Sequence, residues 1–273
     1  MRYFFISDLH GCHPSLAISA LEKQGFDAEN DYLVVLGDIV DRGHYTNLLL
    51  EWLLSIPHLI AIKGNHDARL LELLTGKDAY NKIDKHNGVN ETIASFLGED
   101  GIKMSDSMGL QLLKNGTNKY VKLFYQYMDH ACWAIEFNDL IATHAWVPYQ
   151  QFYRSNKMSD YEFTLKLLPN WRTAATQKDW YEASWAHVPQ CIKHNIFPDK
   201  TLLIGHWWAA ELRARYEKHL LFEDYLAQAD FSTFNYKDKV IAIDTCTPYS
   251  QQINVFIYTS DESPIIYGNE AAL

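Results

Sequence analysis

Three short apolar segments near the amino terminus each run directly into a polar turn that contains glycine. Residues 3–6 lead into SDLHG, residues 32–36 into GDIVDRG, and residues 59–62 into KGNHD. A buried parallel strand that ends in such a turn delivers polar side chains to the carboxyl edge of a sheet, where open α/β proteins build their sites. The pattern therefore predicts an α/β fold with a polar site at one sheet edge.

The polar side chains at these three turns are of types that bind metals and phosphate. They are Asp8, His10, Asp38, Asp41, Arg42, Asn65 and His66. Carboxylates, amide oxygens and imidazoles are ligands for divalent cations, and a guanidinium matches the oxygens of a phosphate. Together at one edge they indicate divalent metals acting on a phosphate.

Strand-like and helix-like segments alternate over the first 75 residues. This alternation predicts a parallel sheet with right-handed crossovers. Helices are predicted at residues 14–25, 46–55 and 67–75. Residues 150–200 are predicted to be mainly helical, and later strands are predicted at residues 131–137, 140–143, 201–204, 219–223, 240–243 and 253–258.

Residues 76–129 differ from the rest of the chain in composition. They contain six glycines and many polar residues, and one short helix is predicted at residues 91–97. This composition predicts a cap or insertion over the strand ends. At 273 residues with 48% hydrophobic content, the whole chain, residues 1–273, is predicted to form a single domain.

The composition also argues against several classes of function. A formal net charge of −10 does not suit nucleic-acid binding, which needs a basic stripe. No apolar run approaches the roughly 20 residues of a membrane helix, and no signal peptide is recognised, so a cytoplasmic protein is expected. The cysteines are too far apart to predict a disulfide framework or a cysteine zinc site; they are Cys12, Cys132, Cys191 and Cys246.

Five motifs in a fixed order carry a family resemblance. After D-x-H-G, G-D-x-x-D-R-G and G-N-H-[ED], a histidine follows an apolar strand at His144, and G-H follows another at His206. This order resembles the calcineurin-like metallophosphoesterases. The resemblance is strongest to the bacterial phosphoprotein phosphatase branch, which also includes symmetrical dinucleoside tetraphosphatases. The motifs span residues 8–206, most of the chain.

The resemblance implies a fold and a set of metal ligands. The implied fold is a two-sheet β-sandwich flanked by helices, a four-layer α/β/β/α arrangement with a small cap at residues 76–129. It implies two divalent metal ions bridged by Asp38. The implied ligands are Asp8, His10 and Asp38 for the first ion, and Asp38, Asn65, His144 and His206 for the second. The N/O donor set without thiolate favours Mn²⁺, with Fe or Zn²⁺ as alternatives.

The resemblance also implies a mechanism. A metal-bridging hydroxide would attack phosphorus in line, without a phosphoenzyme intermediate. Arg42 would clamp the phosphate oxygens, and His66 would protonate the leaving group. Asp41 would orient His66 and favour its protonated form. Taken singly, His144 and His206 could instead be core histidines, but that interpretation does not explain the repeated placement at strand ends.

Two departures from the family pattern affect the substrate. The bacterial branch has a Trp-x-Arg whose arginine binds phosphate; here Trp185-Ala186-His187 stands in its place. His187 or Arg172 is therefore the candidate for this second phosphate contact. The stretch NGVNET at residues 87–92 resembles N-G-G-x-x-T of the same branch, with Val89 at the second glycine.

Three functions remain open from the sequence. The leading hypothesis is hydrolysis of phosphate monoesters, with a phosphoserine or phosphothreonine protein or a small phosphate ester as substrate. The alternative is a symmetrical dinucleoside polyphosphate hydrolase, whose bases could stack on the aromatic cluster of residues 149–185 and on Trp207 and Trp208. These aromatics could equally be core residues. A catalytically inactive binding module is disfavoured because Asp38 and His66 are both present. The oligomeric state stays open.

Overall fold

The computed structural model describes residues 1–98, 104–154 and 162–268. In these ranges the chain forms twelve strands in two main sheets and a separate hairpin. The strands are β1 Arg2–Ile6, β2 Tyr32–Val35, β3 Leu59–Ala61, β4 Ala134–Glu136, β5 Leu140–Thr143, β6 Tyr149–Arg154, β7 Glu162–Leu167, β8 Thr201–Ile204, β9 Phe234–Tyr236, β10 Val240–Ala242, β11 Phe256–Thr259 and β12 Ile265–Tyr267.

The first sheet has the order β11-β1-β2-β3, with β1, β2 and β3 parallel and β11 antiparallel to β1. The second has the order β12-β4-β5-β8-β10-β9, in which β5, β8 and β10 are parallel. A parallel bridge between Ile62 and Cys132 links the end of β3 to the segment that leads into β4. The carboxyl ends of the parallel strands in both sheets precede the predicted site residues.

Helices connect the strands and cover both sheets. They are α1 Pro14–Lys23, α2 Thr46–Leu53, α3 Asn65–Thr75, α4 Lys82–Asn87, α5 Val89–Leu97, α6 Asp106–Lys114, α7 Lys119–His130, α8 Trp171–Ala174, α9 Gln177–Ser184, α10 Val188–Lys193, α11 Ala209–Arg213, α12 Phe222–Tyr225 and α13 Thr247–Ser250. Across the described ranges, no helix combines the length and apolar character needed to cross a membrane.

Side chains alternate between the two faces of each sheet, as the period of two along a strand requires. The core between the sheets includes Tyr3, Phe5, Val34, Leu36, Ile135, Leu140, Ala142 and Leu203. The outer face of the first sheet packs on helices through Phe4, Ile6, Leu33 and Val35. The outer face of the second does so through Ile141, Leu202, Ile204 and Val240. The layer order of helix, sheet, sheet and helix confirms the predicted sandwich.

The segment between α3 and β4 contains more helix than the sequence predicted. The helix predicted at residues 91–97 is present as α5, but α4, α6 and α7 were not predicted. Each buries only one stripe, for example Val121, Phe124 and Met128 of α7, and its remaining positions are polar. Of these helices, α5, α6 and α7 share a hydrophobic core with the first sheet. Their glycines and polar faces account for the missed helices.

Two further secondary-structure predictions were wrong. Residues 150–200 were predicted as mainly helical, but they begin with the antiparallel hairpin of β6 and β7. Residues 219–223 were predicted as a strand, but His219 has a left-handed backbone and Leu221 caps α12. Because β8 pairs directly with β10, no position in the sheet is left between them for this apolar run. Leu220 and Leu221 are exposed.

Candidate active site

The turns after β1, β2 and β8 hold several site residues in left-handed backbone conformations. Positive φ angles occur at Asp8, His10, Asp38, Asp41, Arg42 and His206. At a non-glycine residue such an angle costs about 1–3 kcal/mol and persists only where the surrounding structure imposes it. The sequence predicted a site at the edge of one sheet, but these residues follow strands of both sheets, and the candidate functional site lies where the carboxyl ends of the two sheets meet.

Asp38 lies at the centre of this site. The donor atoms of His10, Asp38 and His66 all lie within 4.8 Å of one another, and so do those of Asp38, His144 and His206. Asp38 Oδ2 is 3.6 Å from His10 Nε2 and 3.4 Å from His144 Nε2. One carboxylate is thus shared by two potential metal-binding groups, as a dinuclear site requires.

Asp8 and Asn65 complete the cluster. Asp8 Oδ1 is 3.9 Å from His10 Nε2, and Asp8 Oδ2 accepts a hydrogen bond from the backbone N–H of His206 at 2.9 Å. Asn65 Oδ1 lies 2.7 Å from His144 Nε2. The structure therefore brings all six residues predicted as metal ligands to this site.

Backbone carbonyls orient two of the histidines. His10 Nδ1 lies 2.9 Å from the Val40 carbonyl oxygen, and His144 Nδ1 lies 2.7 Å from that of Leu36. Because a carbonyl only accepts, each Nδ1 must carry the proton, and each Nε2 faces the cluster. A metal-binding histidine is oriented in this way by a partner on its other nitrogen. The donor set fits two divalent cations that prefer nitrogen and oxygen ligands.

Burial and neighbouring charges both shift the pKa values of the residues in the cluster. Burial raises the pKa of Asp8 well above its usual range, and the nearby Asp244 raises it further. Burial also favours protonation of Asp38, but the neighbouring histidines, His144 first, outweigh it and hold the pKa of Asp38 well below its usual range. Burial lowers the pKa of His144, yet Asp38 outweighs this and raises it to about 10. Burial outweighs Asp38 at His10 and His206, whose pKa values are lowered, so these two imidazoles are neutral and free to bind a cation.

Arg42, His66 and Asp41 form a chain of contacts beside this cluster. The Arg42 guanidinium lies 2.7 Å from His10 Nε2 and 3.0 Å from His66 Nε2. His66 Nδ1 lies 2.7 Å from Asp41 Oδ2. Burial lowers the pKa of His66, but Asp38 and Asp41 outweigh burial, so its pKa is raised. The His66 imidazole, which Asp41 holds at Nδ1, therefore lies close to both Arg42 and the Asp38 carboxylate.

Asp67, which the sequence did not single out, organises the turn around Asp38. Its carboxylate accepts hydrogen bonds from the backbone N–H groups of Asp38, Ile39 and Gly64 at 2.8, 3.0 and 3.0 Å. Burial raises the pKa of Asp67 to about 6. The signal was present in the sequence, because Asp67 occupies the acidic position of the G-N-H-[ED] motif.

Thr92 and Asp244 were also missed as members of the site. The Thr92 hydroxyl contacts both the backbone and the carboxylate of Asp41. Asp244, after β10, accepts a hydrogen bond from the backbone N–H of Cys246 at 2.7 Å, and burial raises its pKa to about 7. Cys246 has a φ of 53°, a left-handed conformation that is uncommon for a residue other than glycine. Thr92 lies in the stretch at residues 87–92, which matched the family pattern only partly.

Two glycines allow the backbone to approach the carboxylates of the cluster. A Cβ atom at Gly64 would overlap the Asp38 carboxylate, and one at Gly205 would overlap that of Asp8. Neither glycine has a positive φ, so each is needed for space and not for backbone conformation. The glycines of the G-N-H and G-H motifs therefore admit the carboxylates to the site.

His187 and Arg172, the two candidates for a second phosphate contact, both make other interactions in the structure. His187 caps α10 by accepting a hydrogen bond from the Gln190 N–H, and its ring centroid lies 4.5 Å from that of Trp207. Arg172 pairs with Glu136 and Asp199. Glu136 lies at the end of β4 away from His144, because it is Ala134, not Glu136, that pairs with Thr143. Arg172 is therefore directed away from the cluster.

The aromatic cluster divides into core and surface residues. Trp171 and Trp180 are buried in the core on the outer face of the second sheet. Trp185 is 40% exposed, and its ring lies alongside that of His66, with centroids 6.4 Å apart and an interplanar angle of 23°. One tryptophan of the cluster therefore lies beside the candidate acid.

Comparison with known proteins agrees with this geometry. A family model described as calcineurin-like phosphoesterase matches residues 1–208. The chain belongs to this family of metallophosphoesterases, as the motifs indicated.

Two relatives align with parts of the chain. It is 39% identical over 97 residues to the symmetrical bis(5'-nucleosyl)-tetraphosphatase of Buchnera aphidicola subsp. Acyrthosiphon pisum. This alignment covers 35% of this chain and 34% of that protein. It is also 37% identical over 73 residues to serine/threonine-protein phosphatase 2 of Salmonella typhimurium. That alignment covers 27% of this chain and 33% of the phosphatase. The chain therefore aligns with only about a third of either relative.

A solved structure shares the fold over nearly the whole chain. It is provisionally described as a diadenosine tetraphosphatase and superposes with a TM-score of 0.52 at 15% identity. The match covers 98% of this chain and 94% of that one. At this identity the likeness shows the fold alone.

Proposed function

We propose that this protein is a phosphomonoesterase that uses two divalent cations. The observation that carries the proposal is the sharing of Asp38 between two groups of donors, one of which includes His66, with Arg42 in contact with His66. Asp8, His10 and Asp38 would hold one cation. Asp38 would hold the other together with Asn65, His144 and His206. When bound, such cations act as Lewis acids and lower the pKa of water. Mn²⁺ suits the nitrogen and oxygen donors best, with Fe or Zn²⁺ as alternatives.

Arg42 is the proposed phosphate clamp. Its guanidinium bridges His10 and His66, so it lies between the metal ligands and the candidate acid. A planar guanidinium binds two phosphate oxygens at once, which fixes the phosphorus for attack from the opposite side. Its exposed position leaves it accessible to a substrate.

His66 is the proposed general acid and Asp41 its positioning residue. Asp41 holds Nδ1, so the other nitrogen, Nε2, is the one that can deliver a proton. The raised pKa keeps the imidazole protonated to higher pH than an unperturbed histidine. An alkoxide leaving group needs this proton, and help of this kind is typically worth roughly 10²–10⁴-fold in rate.

Charge at the site supports a monoester over a longer phosphate chain. In the part of the chain that the structure describes, Arg42 is the one arginine that contacts the cluster. His187 takes the place of the family's second arginine, and Arg172 is directed elsewhere. The positive charge of Arg42 and two cations is suited to a phosphate dianion, whereas a tetraphosphate carries several more negative charges that need neutralising.

Dinucleoside polyphosphate hydrolysis is the second candidate. It is the activity in the name of the Buchnera relative. A groove of about 590 Å³ is lined by Trp208, Phe222 and Arg215, together with the carboxylates of Glu211 and Glu223. An aromatic pair beside a guanidinium is suited to a base and a phosphate.

A substrate panel with Mn²⁺-loaded protein tests the proposal. It compares a phosphoserine peptide, p-nitrophenyl phosphate and diadenosine tetraphosphate by release of phosphate or nucleotide. The proposal predicts the higher kcat/KM on the monoesters. Efficient turnover of the tetraphosphate with no turnover of the monoesters would establish the second candidate instead.

A further inference from the structure

Trp185 is the exposed aromatic neighbour of the proposed general acid. Its ring centroid is 6.4 Å from that of His66, and the two planes differ by 23°. Trp185 is 40% exposed, whereas Trp171 and Trp180 are only 5% and 4% exposed. An exposed tryptophan at the rim of a site contributes little to core packing. Binding becomes more favourable when a ligand covers its apolar surface. Its position therefore indicates a contact with substrate.

Neighbouring contacts fix Trp185 relative to His66. The Tyr181 ring packs edge-on against Trp185, with centroids 6.5 Å apart and an angle of 62°. The Tyr181 hydroxyl donates to Glu72 Oε2 at 3.2 Å. Glu72 lies on α3, the helix that begins with Asn65 and His66. The indole is thus tied, through Tyr181, to the same helix that positions the acid.

The role of His66 places the leaving group beside this indole. A general acid must come within roughly 2.6–3.2 Å of the oxygen that it protonates. A leaving group bonded to that oxygen therefore lies against whatever borders His66, and Trp185 is 6.4 Å away between ring centroids. Resting on the proposed function, we propose that Trp185 stacks on a leaving group whose aromatic ring is bonded directly to the ester oxygen. Aryl phosphates, phosphotyrosine among them, are the substrate class that this geometry favours.

Phosphoserine and nucleotide substrates differ from aryl phosphates in what is bonded to the leaving oxygen. In hydrolysis the P–O bond to the leaving oxygen breaks, water supplies the new P–O bond, and the leaving oxygen takes the proton from His66. For phosphotyrosine the product phenol keeps its ring next to Trp185. For phosphoserine the leaving oxygen carries a methylene and no ring. In a nucleotide, phosphate and ribose separate the base from the leaving oxygen, which puts the base beyond this contact.

Matched peptides test the stacking role. Two peptides of one sequence, carrying phosphotyrosine or phosphoserine, are hydrolysed by Mn²⁺-loaded wild type, Trp185→Ala and Trp185→Phe. Trp185→Ala is expected to lower kcat/KM about 5- to 10-fold on phosphotyrosine, mainly through KM, and less than about twofold on phosphoserine. Trp185→Phe, which keeps a ring, is expected to retain most of the activity. Phe152→Ala, an exposed aromatic of β6, is the control and should change neither substrate.

Inhibitor binding gives a second measurement that needs no turnover. Benzylphosphonate carries a ring in the place of the aryl group, and ethylphosphonate carries none. Wild type is expected to prefer benzylphosphonate, and Trp185→Ala to lose that preference. Equal losses on both peptides, or an unchanged preference in Trp185→Ala, would overturn the stacking role. A wild type that binds both phosphonates but turns over no monoester would refute the proposed function and leave the ring preference to be decided by binding.

Discussion

The hydroxyl of Thr92 holds Asp41 at two points. It accepts a hydrogen bond from the Asp41 backbone N–H at 2.8 Å and donates one to Asp41 Oδ1 at 3.1 Å. The other carboxylate oxygen, Oδ2, lies 2.7 Å from His66 Nδ1. Asp41 also has a positive φ of 70°, a conformation that its surroundings must impose. Thr92, on α5, therefore sets the carboxylate that orients the candidate acid.

Replacing Thr92 by valine should weaken catalysis through Asp41. Thr92→Val preserves the shape but leaves a buried N–H and a carboxylate oxygen without this partner, at a cost of about 1–3 kcal/mol in the free energy of unfolding. We expect kcat on a phosphoserine peptide to fall about tenfold or more, with a smaller effect on p-nitrophenyl phosphate. Thr92→Ser, which keeps the hydroxyl, should restore most of the rate. Equal rates for the valine and serine variants would exclude a positioning role.

The pH dependence of activity should report the Asp41–His66 pair. The Asp41 carboxylate favours the imidazolium, so its removal lowers the pKa of His66. An acid with a lower pKa is lost at lower pH. The alkaline limb of kcat/KM in Asp41→Asn should therefore move to lower pH than in wild type, measured on a phosphoserine peptide with saturating Mn²⁺. An alkaline limb at the wild-type position would mean that another group delivers the proton.

His66 and Arg42 should be separable by the leaving group of the substrate. A serine alkoxide needs a proton, whereas p-nitrophenolate leaves readily without one. His66→Asn should thus lower kcat by roughly 10²–10⁴-fold on a phosphoserine peptide and far less on p-nitrophenyl phosphate. Arg42→Ala removes a phosphate contact common to both substrates, so kcat/KM should fall by similar factors. If His66→Asn slows both substrates equally with metals bound, His66 acts in metal positioning.

Metal content should depend on Asp38 more than on any other single residue. Chelation should abolish hydrolysis, and added Mn²⁺ should restore it. Asp38→Asn should weaken both cations because this carboxylate belongs to both donor groups. Elemental analysis of dialysed protein measures the effect, with Asp129→Asn, an exposed carboxylate of α7, as the control. Two cations retained by Asp38→Asn would contradict the bridging role.

Two glycines should respond differently to alanine. Gly64→Ala places a Cβ atom against the Asp38 carboxylate and backbone, so metal binding and activity should both be lost. Gly76, the left-handed cap of α3, has a φ of 75° and nothing within 4 Å of an added Cβ. Gly76→Ala should therefore lower the free energy of unfolding by only about 1–2 kcal/mol and leave activity intact. Denaturant unfolding and a phosphatase assay measure the pair, and an active Gly64→Ala would show that the turn can move.

The strand ends and their site residues could be read from the sequence because the signals are local. A glycine turn after a buried strand fixes where Asp8, Asp38 and Asn65 emerge, and the period of two fixes the faces of the strands. Of the helices between α3 and β4, only α5 was predicted. Longer helices such as α6 and α7 were missed because each shows only one apolar stripe among polar residues. Residues 219–223 look like a strand in isolation, but the left-handed backbone of His219 and the start of α12 after Leu221 interrupt the extended conformation.

The sequence by itself determined the α/β class, the order of the motifs and the five residues that gather around Asp38. The tertiary structure decided which distant residues complete the site. Asn65 and His144 meet across 79 positions, and Thr92 reaches Asp41 across 51. Trp185 lies beside His66, while Arg172 pairs with Glu136 at the far end of β4. Such contacts depend on how two sheets and their helices pack against one another, and no local pattern of residues records that packing.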